Sequence, residues 1–254
     1  MYLKCRVLQQ ARVGAEAFAL DLDVQDMAGL SRPGQFVMLR CWEGDDPFLM
    51  RPLSINSVDR KNGVMTLLYQ VRGRGTSLMA ALRPGDSVAV LGPLGRGFPV
   101  REGASRVALI GRGMGIAPLL LLAQDYAAHG TELHVYLSAR SEEGLFNRSQ
   151  FERLGARVTT TTAPSFNVTD RMAEDCRSLN FDAAYSCGSR RLALGMKELH
   201  LRYGFPAYVS LEEHMACGLG ACKGCACRMR RSEAGGEYAL VCRDGPVFDV
   251  DEVL

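Results

Sequence analysis

Five of the nine cysteines in this 254-residue chain fall within its last forty residues: Cys217, Cys222, Cys225, Cys227 and Cys242. The 48 residues from Ala207 onward are too few to bury a sizeable core alone. A metal centre or docking onto the rest of the chain must therefore hold them. Cys217-x4-Cys222-x2-Cys225, with Cys242 after sixteen intervening residues, provides four thiolates. That spacing suits a [2Fe–2S] cluster. A structural zinc site built from the same four residues is the rival, although zinc usually draws on two short-spaced pairs. Gly218, Gly220 and Gly224 let the backbone curl around the thiols and aim amides at sulfur. Cys227, just past the third ligand, reads as a small strand residue.

Nine is an odd count, and the N-terminal stretch does not read as a secretory leader. Lys4, Arg6 and Arg12 interrupt its single apolar residues. Metal or redox use of the thiols is thus favoured over disulfides, and a reducing cytoplasm is the expected location. Thirty basic residues against 28 acidic ones leave a net charge of +2, which argues against a nucleic-acid binder. The longest apolar stretch, Ile116 to Ala123, is interrupted by Pro118 and is far shorter than the ~18–20 residues a membrane span requires.

The texture changes near Arg101. Before it, short alternating runs follow turn signals: Gly34–Trp42 behind Pro33-Gly34, Val64–Val71 behind Lys61-Asn62-Gly63, and Ser87–Leu91 behind Pro84-Gly85-Asp86. These predict a small antiparallel barrel or sandwich over residues 1–101. Over 102–206, strands at Arg106–Ile110, Leu133–Leu137, Ala156–Thr160 and Ala183–Cys187 alternate with helical segments, one of them from Ala117 to His129. That rhythm predicts an open parallel α/β sheet. The remainder, 207–254, is the cysteine-rich subdomain. The expected fold class is thus a β-barrel, an α/β domain and a small cluster-bearing tail.

Four further segments point to nucleotides. Arg51-Pro52-Leu53-Ser54 pairs a guanidinium that can fork onto a phosphate with a hydroxyl three residues on, which suits a flavin nucleotide laid across a barrel. In Tyr69–Ser77 a Gly75 precedes a predicted helix start at Thr76 or Ser77, whose free amides would face a pyrophosphate. Gly111-x-Gly113-x-Gly115 links a strand to a helix that starts near Pro118, the layout of a nucleotide-phosphate site. It is not G-x-G-x-x-G, and no acidic residue ends the following strand, where Ser138-Ala139-Arg140 stands instead. Cys187-Gly188 ends a predicted strand at the edge where such sheets bind ligands. His129, His134, His200 and His214 lack metal spacing, and no acid–base pair or nucleophilic triad stands out. Hydride and electron transfer require neither. A flavin barrel, a nicotinamide domain and a cluster tail together describe a converter between paired and single electrons.

With these motifs in view, the chain resembles the ferredoxin–NADP⁺ reductase superfamily, and within it the electron transfer subunits of class B (NAD⁺-dependent) dihydroorotate dehydrogenase. The resemblance rests on Pro33–Leu39, Arg51–Ser54, Gly73-x-Gly75-Thr76, Gly92–Gly95, Gly115–Pro118, Glu213–Cys225 and Val241–Phe248. It implies that Arg51, Pro52, Leu53 and Ser54 carry FAD, and that Leu68, Tyr69, Gln70, Gly75 and Thr76 line its ring edge and pyrophosphate. It implies that Cys217, Cys222, Cys225 and Cys242 hold a [2Fe–2S] cluster. Gly111, Gly113, Gly115, Cys187 and Gly188 would face NAD. It further implies a catalytic partner carrying FMN, in a heterotetramer of two plus two. Electrons from dihydroorotate would pass by way of FMN, cluster and FAD to NAD⁺ in pyrimidine biosynthesis.

Three departures from the family pattern stand out: Arg112 in place of Gly, Ser189 in place of Pro, and a lengthened gap before Cys242, assigned to a loop around Ser232 to Gly236. A related reductase subunit, of the hydrogenase γ-type or the ferredoxin–NADP⁺ reductase type, is the alternative enzyme reading. A zinc-stabilised interaction module on a degenerate reductase fold is the non-enzyme one.

Overall fold

A computed structural model describes residues 1–164, 167–230 and 237–254. The expected loop insertion at Ser232–Gly236 lies outside the described residues. The first six strands are β1 (Tyr2–Arg12), β2 (Ala17–Asp23), β3 (Phe36–Arg40), β4 (Arg51–Asp59), β5 (Val64–Gln70) and β6 (Ser87–Leu94). They close into an antiparallel barrel in the order β1-β2-β5-β4-β3-β6, which settles barrel over sandwich. Two short helices decorate it, α1 (Met27–Leu30) and α2 (Arg74–Ala80). Alternation along each strand drives one face inward, so Leu20, Leu22, Val37, Leu39, Ile55, Met65, Leu67 and Tyr69 fill the interior.

The second layer is a six-stranded sheet. Its strands are β7 (Arg106–Arg112), β8 (Glu132–Ser138), β9 (Arg157–Thr161), β10 (Ala183–Cys187), β11 (Ala207–Ser210) and β14 (Val247–Asp249), in the order β14-β11-β10-β7-β8-β9. Five run parallel, and β14 is antiparallel at the edge. Helices α3 (Ala117–Ala128), α4 (Arg148–Arg153), α5 (Val168–Asp175), α6 (Arg190–Tyr203) and α7 (Val250–Val253) connect or cover it. The hairpin β12 (Ala226–Arg228) and β13 (Tyr238–Leu240) belongs to the cysteine-rich tail. Strands from both sides of residue 206 therefore share one sheet. The tail looks irregular in sequence because β11 and β14 are only four and three residues long.

Helix α3 accounts for the longest apolar run. It lies between barrel and sheet, with Leu119, Leu120 and Leu122 in the sheet's core and Leu121 in the barrel's. Leu68 of β5 crosses the other way into the sheet's core. Polar ties reinforce the junction: Arg60 to Asp125 at 3.1 Å, and the Tyr185 hydroxyl donating to the Pro99 carbonyl at 2.8 Å.

Candidate functional site

The barrel, the carboxyl edge of the sheet and the tail meet around one cleft of about 400 Å³. Arg51, Pro52, Leu53 and Ser54, the first residues of β4, line it together with Leu68, Tyr69, Gln70 and Thr76. All eight of these expected residues are thus gathered in one place. Tyr69 differs from its neighbours: its ring points into the barrel, stacked 5.7 Å from Phe18, with its hydroxyl donating to Gln10 at 2.9 Å. Strand alternation leaves only its main chain for the cleft.

Gly75 lies directly under the Arg51 guanidinium, and a Cβ there would stand 2.5 Å from Nε. The glycine therefore clears the bed in which the guanidinium lies, 5.4 Å from the centre of the Trp42 ring. Helix α2 starts two residues earlier than expected. Thr76 sits in its first turn, and its hydroxyl accepts from the Arg72 and Gly73 amides at 2.8 and 3.1 Å. That hydroxyl is spent on capping, so the first-turn amides, which lack intrahelical partners, are what this end offers a phosphate.

The glycine turn after β7 is built by close approach. Gly111 pairs with Cys187 across β7 and β10, and a Cβ at Gly115 would meet the Gly188 Cα at 2.5 Å and the Cys187 carbonyl at 2.6 Å. Gly113 adopts φ +53°, in the region where glycine is at ease. Gly111, Gly113, Gly115, Cys187 and Gly188 are therefore neighbours. The turn opens onto a second cleft of about 570 Å³, lined also by Arg112, Arg140 and Ser189. Ser189 caps α6, its hydroxyl accepting from the Leu192 amide at 3.3 Å. A serine at this position thus supplies a helix cap.

The four cysteines of the tail form the third part. Each sulfur accepts from backbone amides: Cys217 from Leu219 and Cys222 at 3.4 Å each, Cys222 from Gly224 at 3.5 Å, Cys225 from Cys242 at 3.4 Å, and Cys242 from Gly220 at 3.1 Å. The amides of Cys222 and Leu219 hold the Cys217 thiol down to about 6. Burial first, and the neighbouring Cys225 thiol 3.2 Å away, push Cys242 up to about 12. Among the described residues no three His, Cys, Asp or Glu side chains converge as a single ion would require. Such an amide cage matches the requirement of cluster thiolates for N–H donors at sulfur, so the donor set fits an iron–sulfur group. Gly218 and Gly220 both have positive φ, and a Cβ at Gly218 would meet Met38 of the barrel at 2.7 Å. The loop is pressed against β3.

Glu212 escapes a reading by motif. It lines both clefts, and the Cys187 thiol donates toward its Oε1 at 3.9 Å. Surrounding protein withholds bulk water and raises its carboxyl above the usual range. The Cys187 thiol is raised as well, by burial and then by that carboxylate. No sequence signal marks Glu212, because β11, which delivers it, is so short.

Comparisons with known proteins match family models at both ends of the chain. Residues 4–98 match the oxidoreductase FAD-binding domain, and residues 212–254 match the iron–sulfur cluster binding domain of dihydroorotate dehydrogenase B. The electron transfer subunit of dihydroorotate dehydrogenase B (NAD(+)) from Geobacillus thermodenitrificans is 37% identical over 98% of this chain and 96% of its own length. That from Bacillus cereus is 39% identical over the same shares. Among solved structures, the NADH-dependent reduced ferredoxin-NADP oxidoreductase superposes with a TM-score of 0.83 at 27% identity, covering 98% of this chain and 89% of that one. Ferredoxin-NADP⁺ reductase from Plasmodium falciparum, at 15% identity, TM-score 0.64, and 80% and 91% coverage, shares the fold. With barrel, sheet and cysteine tail all matched along nearly the whole length, the chain belongs to the family of dihydroorotate dehydrogenase B electron transfer subunits.

Proposed function

We propose that this chain delivers to NAD⁺ the electrons that an FMN-containing catalytic partner withdraws from dihydroorotate, in a cytoplasmic heterotetramer of two plus two. The observation that carries the reading is the convergence of three prepared surfaces. The Arg51–Gly75 bed and the Gly111–Gly115 turn open onto neighbouring clefts that share Gln70, Arg72, Met114 and Glu212, and the amide-caged thiol loop packs on Met38 of β3, the strand paired with β4. A bound flavin exchanges paired electrons with a nicotinamide and single ones with an iron–sulfur cluster.

The residues divide the work as follows, within units spanning 1–101, 102–206 and 207–254. Arg51 and the first-turn amides of α2 hold the FAD pyrophosphate, Ser54 and Gln70 meet its ring edge, and Pro52, Leu53 and Leu68 exclude water beside it. Gly111, Gly113 and Gly115 admit the nicotinamide nucleotide close to the backbone, next to Cys187-Gly188. Cys217, Cys222, Cys225 and Cys242 ligate the [2Fe–2S] cluster. The cytoplasmic location rests on the use of thiols as ligands, and no described helix is long and apolar enough to cross a membrane.

The visible spectrum of anaerobically purified protein tests this. Flavin bands over iron–sulfur absorbance, bleached by NADH, are the expected result; a colourless protein holding zinc refutes it. Addition of an FMN-containing dihydroorotate dehydrogenase should then permit dihydroorotate-dependent NAD⁺ reduction. The 27% identity to a reduced ferredoxin-NADP oxidoreductase favours a ferredoxin-linked subunit as the second reading. Bleaching by reduced ferredoxin but not through the dihydroorotate partner would select it.

A further inference from the structure

A cleft of about 750 Å³ lies between the barrel strands and the turn and helix α4 that follow β8, adjoining the flavin cleft at Leu68 and the glycine-turn cleft at Glu143 and Phe146. Its wall carries two buried carboxamides, Asn56 of β4 and Asn147, with Asn147 donating from Nδ2 to Asn56 Oδ1 at 2.7 Å. That bond leaves the Asn56 amide hydrogens and the Asn147 carbonyl oxygen for a third group. Close by, Gln124 of α3 lines the same cleft, and its Oε1 is buried without a hydrogen-bond partner. A buried acceptor left unpaired is costly. Asn147 is also held at φ +60°, an uncommon conformation for a residue other than glycine.

We infer that this cleft binds a neutral nucleoside. An adjacent free donor and free acceptor on two coplanar-capable amides complement the edge of a nucleobase, which presents acceptor and donor side by side. Val13, Phe146 and Leu154 supply apolar surface for a flat ring. Four carboxylates, Asp21, Glu142, Glu143 and Glu152, line the cleft against two arginines, Arg148 and Arg153. Arg148 already pairs with Glu152 at 2.9 Å. The acidic surplus accepts ribose hydroxyls and repels a phosphate, which separates this cleft from the two nucleotide-phosphate surfaces. Its volume is within the usual range of roughly 300–1,000 Å³ for small-molecule sites.

Titration calorimetry on the cofactor-loaded protein with uridine, adenosine and UMP tests the inference. At least one nucleoside should bind one to one, with a Kd on the order of 0.1 mM as expected for a ligand of this size. UMP should bind at least about tenfold more weakly, given the like charges. Asn56→Leu and Gln124→Leu should each weaken nucleoside binding about tenfold or more, the loss expected when a base-facing hydrogen bond is removed. Flavin reduction by NADH should stay unchanged in both. Gln124 is only half-buried, so its variant decides the matter if Asn56→Leu does not fold. Absence of heat with all three probes overturns the inference. So does nucleoside binding indifferent to both substitutions, or binding displaced by NADH, which would place the nucleoside in the nicotinamide cleft. None of these outcomes depends on the identity of the catalytic partner.

Discussion

The glycine turn after β7 and the thiol loop of the tail are both glycine-rich, yet they are held by different means. Around Gly115 the backbone is locked against Cys187 and Gly188, in a sheet whose core contains Val107, Leu109, Leu119, Val135 and Tyr185, all fully buried. The tail's core consists of Cys225, Ala239, Val241, Cys242 and Phe248, and it borrows Phe36 and Met38 from the barrel. Two of its seven buried members are the thiols themselves. One site is preformed by hydrophobic packing; the other rests on its ligands and on a neighbour's surface. Loss of a ligand should therefore unmake the tail and spare the turn.

The largest expected effect is that of Cys225→Ser. Iron content should fall to near zero, and limited proteolysis should cut between 217 and 242, while FAD content and flavin bleaching by NADH persist. Loss of NADH bleaching along with the iron would break the comparison, because the two regions would then be one unit. Arg51→Ala should weaken FAD retention about ten- to a hundredfold, corresponding to roughly 1.5–3 kcal/mol for a hydrogen bond to a charged group. FAD content after dialysis measures it, and iron should be unaffected.

Gly115→Ala tests the packed turn. The added methyl must push Gly188 away, at a cost of about 1–3 kcal/mol as for other overpacked sites. Its signature should be a raised KM for NADH with iron and FAD unchanged. The smallest effect concerns Glu132 at the opposite, amino-terminal edge of β8. Arg106, 2.6 Å away, and then His134 lower its carboxyl from 4.5 to about 2. A lowered carboxyl stabilises the fold above its ordinary value, and that contribution is lost as pH falls from about 4.5 toward 2. The side chain is half exposed, so Glu132→Gln should cost less than about 1 kcal/mol. The Tm gap to the parent should be present at pH 7 and closed near pH 2, with the cofactors of both clefts untouched at neutral pH.

Where chemistry depends on local spacing, the sequence was informative. Strand β10 runs from Ala183 to Cys187 as expected, and the glycine turn, the Arg51 tetrapeptide and the cysteine spacing depend on residues close in the chain. What stayed hidden depends on distant partners. Strands β11 and β14 acquire their conformation by pairing with each other and with β10, and runs of three or four residues carry no usable period. Glu212 matters because of where β11 ends, which no neighbouring residue announces. Tyr69 shows a subtler limit: Leu68, Tyr69 and Gln70 all line the cleft, yet alternation turns the middle ring inward and leaves its main chain there.

Helix α3 also bears on how reductases of this architecture can be recombined. A cut at residue 101 would look natural, since barrel and sheet each have their own strands. Yet the barrel's interior is completed by Leu121, which is encoded twenty residues beyond that cut. A barrel grafted onto a foreign nucleotide domain would inherit whatever side chain the donor helix carries there. Successful chimaeras should be those in which the helix travels with the barrel, or in which the donor offers a leucine at the same point of contact.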